Sequence, residues 1–312
     1  MKSKPAPSPI IPSDQTDRTG TAGIMRRAMA EIRRRFVGLK RDVVRLFDGI
    51  PILTGNDVAT APARTIYQMT PDQLARLSAE LQATLERWIA NGRDPAHVFW
   101  FSTYDAAAQQ LGTAQSVANL SKIAPTYAAT RTLQDVVYSE AYRTRLAAAQ
   151  LRSLEHWTSL SAGMRSELSS IIGRAVIDGK NPRVVRREIA ERLGVSMSRA
   201  AQYAQTEITG ALRDARAAEA DQAAEDYGLD IALLWTSALI PTTRHWHASR
   251  NGRTYSTQEV RAFYAERGNR YNCRCSINEV ILDDDGKPML SKKAQSSLAN
   301  EKAAWFSRYG GK

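Results

Sequence analysis

From Ile24 to Phe47 the apolar residues Met25, Met29, Ile32, Phe36, Leu39, Val43 and Leu46 recur in steps of about four and three. That period places them in one stripe, so the spacing predicts an α-helix over Ile24–Phe47 with a heptad-like seam. A second helix is signalled by Thr70-Pro71-Asp72, where a hydroxyl cap, a proline at the first helical position and an early acid precede Leu74, Leu77, Leu81, Leu85 and Trp88. Its end is expected near Asn91-Gly92. The Ala-, Gln- and Leu-rich stretch Ala96–Leu154 reads as two long helices broken around Pro125, whose ring and missing N–H interrupt a helix. After the turn Asp178–Pro182, a helix is expected over Arg183–Leu193, and Gly194-Val195-Ser196 then starts another that reaches about Asp226.

Beyond Tyr227-Gly228 the pattern changes. Ile231–Trp235 is an apolar run of strand length, and Cys275–Leu282 alternates roughly as a strand before the turn Asp283–Pro288. A last helix is predicted over Ser291–Phe306. The fold class is therefore mainly α: a helical N-terminal region, then a small α+β module with short strands and a C-terminal helix.

Charge adds a partner to this picture. The 312 residues carry 43 Lys and Arg against 32 Asp and Glu, a formal net charge of +11, which favours polyanions such as nucleic acid or an acidic protein surface. The excess gathers on the first helix, where Arg26, Arg27, Arg33, Arg34, Arg35, Lys40, Arg41 and Arg45 face only Glu31 and Asp42. These eight are candidate contacts to double-stranded DNA, read without sequence preference; a plain solvated face is the alternative. No stretch approaches the roughly 20 apolar residues that a membrane span needs, so no membrane partner is expected. The opening run, residues 1–23, is rich in Pro, Ser, Thr and Asp and reads as a disordered tail.

Candidate chemistry is sparse. Cys273 and Cys275 are one residue apart, where a disulfide would be strained, so they are expected as free thiols or metal ligands in a reducing cytoplasm. With His245 and His247 they offer two pairs at a spacing of two, which on strands would project from one face, as zinc ligands could. Zinc is thus the one candidate cofactor. Arg187–Ser196 followed by Ala200 and Ala201 has the spacing of a helix-turn-helix, which supports a second reading as a DNA-binding regulator. Neither a phosphate-cradling glycine loop nor a clustered set of catalytic acids stands with the cysteines, so the chain is not expected to be an enzyme.

An ordered set of motifs runs through Asp178–Leu282: Gly179 with Asn181-Pro182, Arg199-Ala200, Gln205-Thr206-Glu207, Trp235-Thr236-Ser237, Thr243-Arg244 with His247, Asn251-Gly252 with Tyr255, and Asn272-Cys273-Arg274-Cys275. In this order they resemble the phage Mu F-like minor head protein family, also called the phage head morphogenesis family. The motif residues carried over are Thr206, Glu207, Trp235, Arg244, His247, Gly252, Cys273, Arg274 and Cys275. Arg244 stands where some members carry a cysteine, and Gln205 replaces the usual arginine. The resemblance implies a structural component of a tailed-phage or prophage head, made in the host cytoplasm and placed in the virion at the interior or portal vertex. Its implied partners are the portal protein, the major capsid or scaffolding protein, and packaged DNA. On this basis the chain divides into a tail (1–23), a helical region with the basic amphipathic helix (24–160), the phage Mu F-like domain (161–282) and a C-terminal helical extension (283–312).

Overall fold

Asp17 starts the first helix by accepting hydrogen bonds from the backbone N–H groups of Thr21 (3.0 Å) and Ala22 (2.9 Å), two donors that a helix N-terminus would otherwise leave unpaired. The computed structural model describes residues 8–53, 64–90, 99–266 and 268–310. In chain order the elements are α1 (Ala22–Asp48), β1 (Ile52–Leu53), β2 (Ile66–Tyr67), α2 (Pro71–Trp88), α3 (Ser102–Ile123), α4 (Pro125–Thr130), α5 (Leu133–Val137), α6 (Glu140–Asp178) and α7 (Pro182–Tyr227). They continue with β3 (Ile231–Thr236), α8 (His245–Ala248), β4 (Thr254–Tyr255), α9 (Thr257–Ala265), β5 (Ser276–Ile281) and α10 (Lys292–Tyr309). The fold is mainly α with short antiparallel strands, as the pattern predicts.

The chain forms two compact units, each drawn from separated segments and not from consecutive ones. One comprises Arg27–Ser102 and Leu151–Tyr203. Within it the α1 stripe is buried: Ala28, Ile32, Leu39 and Val43 are inaccessible to solvent and Phe36 and Phe47 nearly so. The expected stripe runs along the same face, with Met25, Met29 and Leu46 at its half-buried margins. Trp88 lies so close to Gly38 that an added Cβ would meet its ring at 2.3 Å, and its indole N–H donates to Asp42 (2.9 Å). Thr70 and Gln73 close the capping box that opens α2. The expected end of that helix at Asn91-Gly92 lies outside the described residues.

The other unit comprises residues up to Arg26, Thr103–Gln150 and Ala204–Lys312. Its sheet has the order β4-β3-β5, all antiparallel, with Leu233 opposite Glu279 and Trp235 opposite Ile277. Leu233, Trp235 and Ile277 enter one apolar cluster with Val260 and Phe263, while Ala232, Leu234 and Val280 enter another with Leu298. Because both faces are covered, β3 reads as a continuous apolar run and not as an alternation. Gly112 of α3 sits against α7, where an added Cβ would lie 2.5 Å from the Leu212 carbonyl oxygen.

An ion pair is sealed into this unit. Arg216 of α7 donates to Glu279 of β5 through Nε (3.1 Å) and Nη2 (2.6 Å), with both side chains at most 2% exposed. From α3, Asn119 donates to the Glu279 carboxylate (2.7 Å) and carbonyl (2.8 Å), Ser116 also donates to the carboxylate, and Gln115 accepts from Arg216 (3.1 Å). Burial would raise the Glu279 carboxyl, but Arg216 and the hydrogen bonds outweigh it and hold it below its ordinary value.

Several expectations are corrected. Gly194 interrupts nothing: α7 is one helix from Pro182 to Tyr227, so the turn that a helix-turn-helix needs is absent. Ser196 and Ser198 do not cap a new helix; their hydroxyls bond the carbonyls of Arg192 and Gly194, four residues back. Pro125 does start a new helix, but the segment breaks again at Arg131-Thr132 and Tyr138-Ser139. The tail is packed from residue 8 onward: Ile10 N–H donates to Asn119 (2.6 Å), and the buried Arg18 binds Glu301. Its short polar residues read as unstructured because their partners lie far along the chain. Residues 1–7 lie outside the described residues.

Replacing Glu279 by Gln should leave Arg216 buried without its counter-charge and cost about 3–5 kcal/mol, a fall in Tm of roughly 6–20 °C in thermal unfolding. Since the folded carboxyl titrates below its ordinary value of 4.5, the wild type should keep this contribution above that pH and lose it as pH falls through the lowered value. The variant's loss of stability on acidification should be correspondingly shallower.

Candidate functional site

Four segments of one unit converge around His247. Trp235 on β3 is fully buried; its indole N–H donates to Ser237 Oγ (3.1 Å), and its ring lies edge-on to Phe263 (5.1 Å) and stacked on Tyr264 (5.3 Å). Ser237 Oγ in turn donates to the carbonyl of His247 (2.6 Å). Asn251 bridges the same corner: its Oδ1 accepts from Ser237 N–H (2.8 Å), and its Nδ2 donates to the Leu298 carbonyl (2.9 Å). Gly252 follows at φ +80°, a left-handed conformation that suits glycine, with Leu298 Cβ 3.2 Å from where a side chain would begin.

The second half of the site is the loop before β5. Asn272 turns the backbone at φ +52°, and its N–H donates to Thr206 Oγ1 on α7 (2.9 Å). Cys273 and Cys275 then point inward while Arg274 between them is exposed, the alternation of an extended segment. Both thiols reach His247 Nδ1, Cys273 at 3.5 Å and Cys275 at 3.8 Å. The Cys275 backbone N–H points at Cys273 Sγ (3.4 Å), and Tyr264 Oη lies 3.5 Å from the same sulfur. Beneath the loop, Thr209 donates to the Cys273 carbonyl (2.9 Å), and the buried Arg213 donates to the Cys275 carbonyl (3.3 Å) with its guanidinium 4.2 Å from the Tyr264 ring centre.

Burial pushes the Cys273 thiol up, but hydrogen bonds from Cys275 and His247 and the charges of Arg213 and His247 hold it well below the usual thiol value. Cys275, hydrogen-bonded to Cys273 and buried, is held well above it.

The four candidate zinc ligands do not all meet. His247, Cys273 and Cys275 bring their ligating atoms within 4.8 Å of one another, whereas His245 stacks edge-on to Trp305 (5.3 Å) and Phe306 (6.0 Å). The reason is local geometry: a spacing of two shares a face on a strand, but His245 and His247 lie on the short helix α8, where it turns them to opposite sides. Arg244 takes its own place beside His247, with Nη1 3.4 Å from Nε2, and donates to the carbonyls of Asn269 (3.2 Å) and Tyr271 (2.8 Å). A cavity of about 100 Å³ adjoins the three ligating groups, lined also by Ile240, Arg244, Asn272 and Arg274. Glu207, another motif residue, is buried with Arg270 at 3.6 Å.

Residues 166–278 match the family model described as Phage Mu protein F like protein. Over these residues the chain is similar to that family. No curated relative and no solved structure matches the chain. The match supports a phage head morphogenesis protein. In three dimensions the phage Mu F-like motifs are largely a fold signature: Thr206 and Trp235 hold the loop and the core, Gly252 makes a turn, and Glu207 is paired inside. Thr209 and Arg213 escaped the sequence reading, although Thr206, Thr209, Arg213 and Arg216 recur at steps of three and four along α7 and so share one face.

Asn251→Ala should leave the buried Ser237 N–H unpaired, at about 1–3 kcal/mol, while the Leu298 carbonyl keeps its partner within α10. Thermal unfolding of the variant should show a Tm lower by roughly 2–12 °C, by the usual conversion for a unit of this size.

Proposed function

We propose that the chain is a minor head protein of a tailed bacteriophage or prophage, assembled with the portal and the capsid or scaffolding subunits, and touching packaged double-stranded DNA through α1. The role is structural, and its place is the virion head. The phage Mu F-like match carries the head reading. The DNA reading rests on how α1 divides its two faces. The apolar stripe is consumed inside the chain's own fold, which leaves it nothing to offer another subunit. The opposite face stays in solvent and is basic.

On that face the eight candidate cations are not equivalent. Arg35 is structural: it pairs with Glu31 (2.7 Å), donates to the Trp88 carbonyl (2.9 Å) and lies 4.3 Å from the Trp100 ring centre. Arg34 pairs with Glu31, and Arg41 and Arg45 lie around Asp42. Arg26, Arg33 and Lys40 are exposed at seven-residue intervals, about 10.5 Å per step along one line of the helix. Arg27, Arg34 and Arg41 form the adjacent line. Two such rows suit a polyphosphate backbone and carry no base-reading geometry, which fits contact without sequence preference.

The triple variant Arg26→Ala, Arg33→Ala, Lys40→Ala should bind double-stranded DNA more weakly whatever its sequence, and should flatten the salt dependence by about 0.9 of a slope unit per lost phosphate contact. Its Tm should be unchanged. Arg35→Ala should do the reverse, lowering Tm and leaving the slope nearly intact. Binding measured over a salt series decides: an unaltered slope in the triple variant would make this face a solvated surface.

A further inference from the structure

We propose that His247, Cys273 and Cys275 bind one divalent zinc-class ion, with the fourth coordination position directed to the adjoining cavity. An ion held about 2.3 Å from thiolate sulfur and 2.0–2.1 Å from imidazole nitrogen in tetrahedral geometry sets sulfur and nitrogen roughly 3.6 Å apart. The two sulfurs stand 3.5 and 3.8 Å from one and the same ring nitrogen. That nitrogen carries either one hydrogen or one lone pair, so it hydrogen-bonds one sulfur at a time, whereas a shared ion engages both. Two sulfurs and an imidazole nitrogen select a borderline or soft metal over magnesium or calcium.

The surroundings are built to hold the three groups in place. Asn272, fixed to Thr206, sets the turn that brings both cysteines inward. Thr209 and Arg213 hold the loop carbonyls from below, and Ser237 holds the His247 carbonyl. The Cys275 N–H directed at Cys273 Sγ stabilises a thiolate ligand. Arg244 opposes the ion from the far side of the ring. Metal on Nδ1 places the imidazole proton on Nε2, facing a guanidinium that can only donate. At 3.4 Å this is the longest of its three contacts, and the two to backbone carbonyls remain when it is given up. The ion would tie α8 to the loop that leads into β5, a structural clasp independent of any role for α1.

The test uses the full chain, reduced and stripped with a chelator, titrated with Co²⁺. The expected result is one equivalent bound, with thiolate-to-cobalt charge-transfer absorption and tetrahedral ligand-field bands that Zn²⁺ displaces. Loss of outer-sphere partners alone costs about 10–100-fold in metal affinity. Cys273→Ser and Cys275→Ser should therefore each weaken binding by more than about tenfold, while His245→Ala should bind as the wild type does. The wild-type spectrum decides even where a variant fails to fold. Absence of the charge-transfer bands in the wild type would overturn the proposal, as would a spectrum that survives the double cysteine variant or is lost in His245→Ala.

Discussion

A charge pair sealed from water is the constraint around which the larger part of this molecule is arranged. Arg216 and Glu279 come from a helix and a strand far apart in sequence, and neither could be buried alone without a penalty of several kcal/mol. Their burial requires every remaining donor and acceptor to be met, which is why α3 carries Gln115, Ser116 and Asn119 on its inner side. The same requirement fixes the register of β5, since sliding it by one residue would turn Glu279 away from Arg216. Asn119 also receives the backbone of Ile10, so the network secures the N-terminal segment as well.

The candidate metal site depends on that arrangement. Thr206, Thr209, Arg213 and Arg216 lie on one face of α7; the last anchors β5, and the first three hold the loop that leads into it. A single helical face therefore fixes both the ion pair and the inward turn of Cys273 and Cys275. The family motifs are explained mostly as supports for this geometry, with Trp235 filling the core beside His247 and Gly252 permitting the turn from α8 to β4.

Much of the fold was legible in the sequence, because periodicity and caps are local signals. The α1 stripe, the Thr70 cap, the helix start at Pro125, β3, β5 and the Ser291 cap of α10 all declare themselves within a few residues. What escaped depends on distant partners. The polar side chains on the inner side of α3 look like surface residues until Glu279 is brought to them. Gly194 looks like a break, yet α7 continues through it, and the segment 8–21 looks unstructured until Asn119 and Glu301 are placed beside it. In the site, Cys273 and Cys275 share one face as their spacing of two implies on an extended segment, whereas His245 was grouped with His247 on a strand spacing that the helix α8 does not obey. The short helix α9 had a readable signal in Ser256 and Glu259, which form a capping box, but its brevity left no period to detect.

The central claim is that this chain serves as a structural part of a phage head. Quantitative mass spectrometry of gradient-purified particles, read against the major capsid protein, tests it most directly. A head protein should be present at a fixed ratio to the capsid subunit in every particle preparation and should resist high-salt washing. Absence from the purified particles, or a ratio that falls away with each wash, would contradict the account.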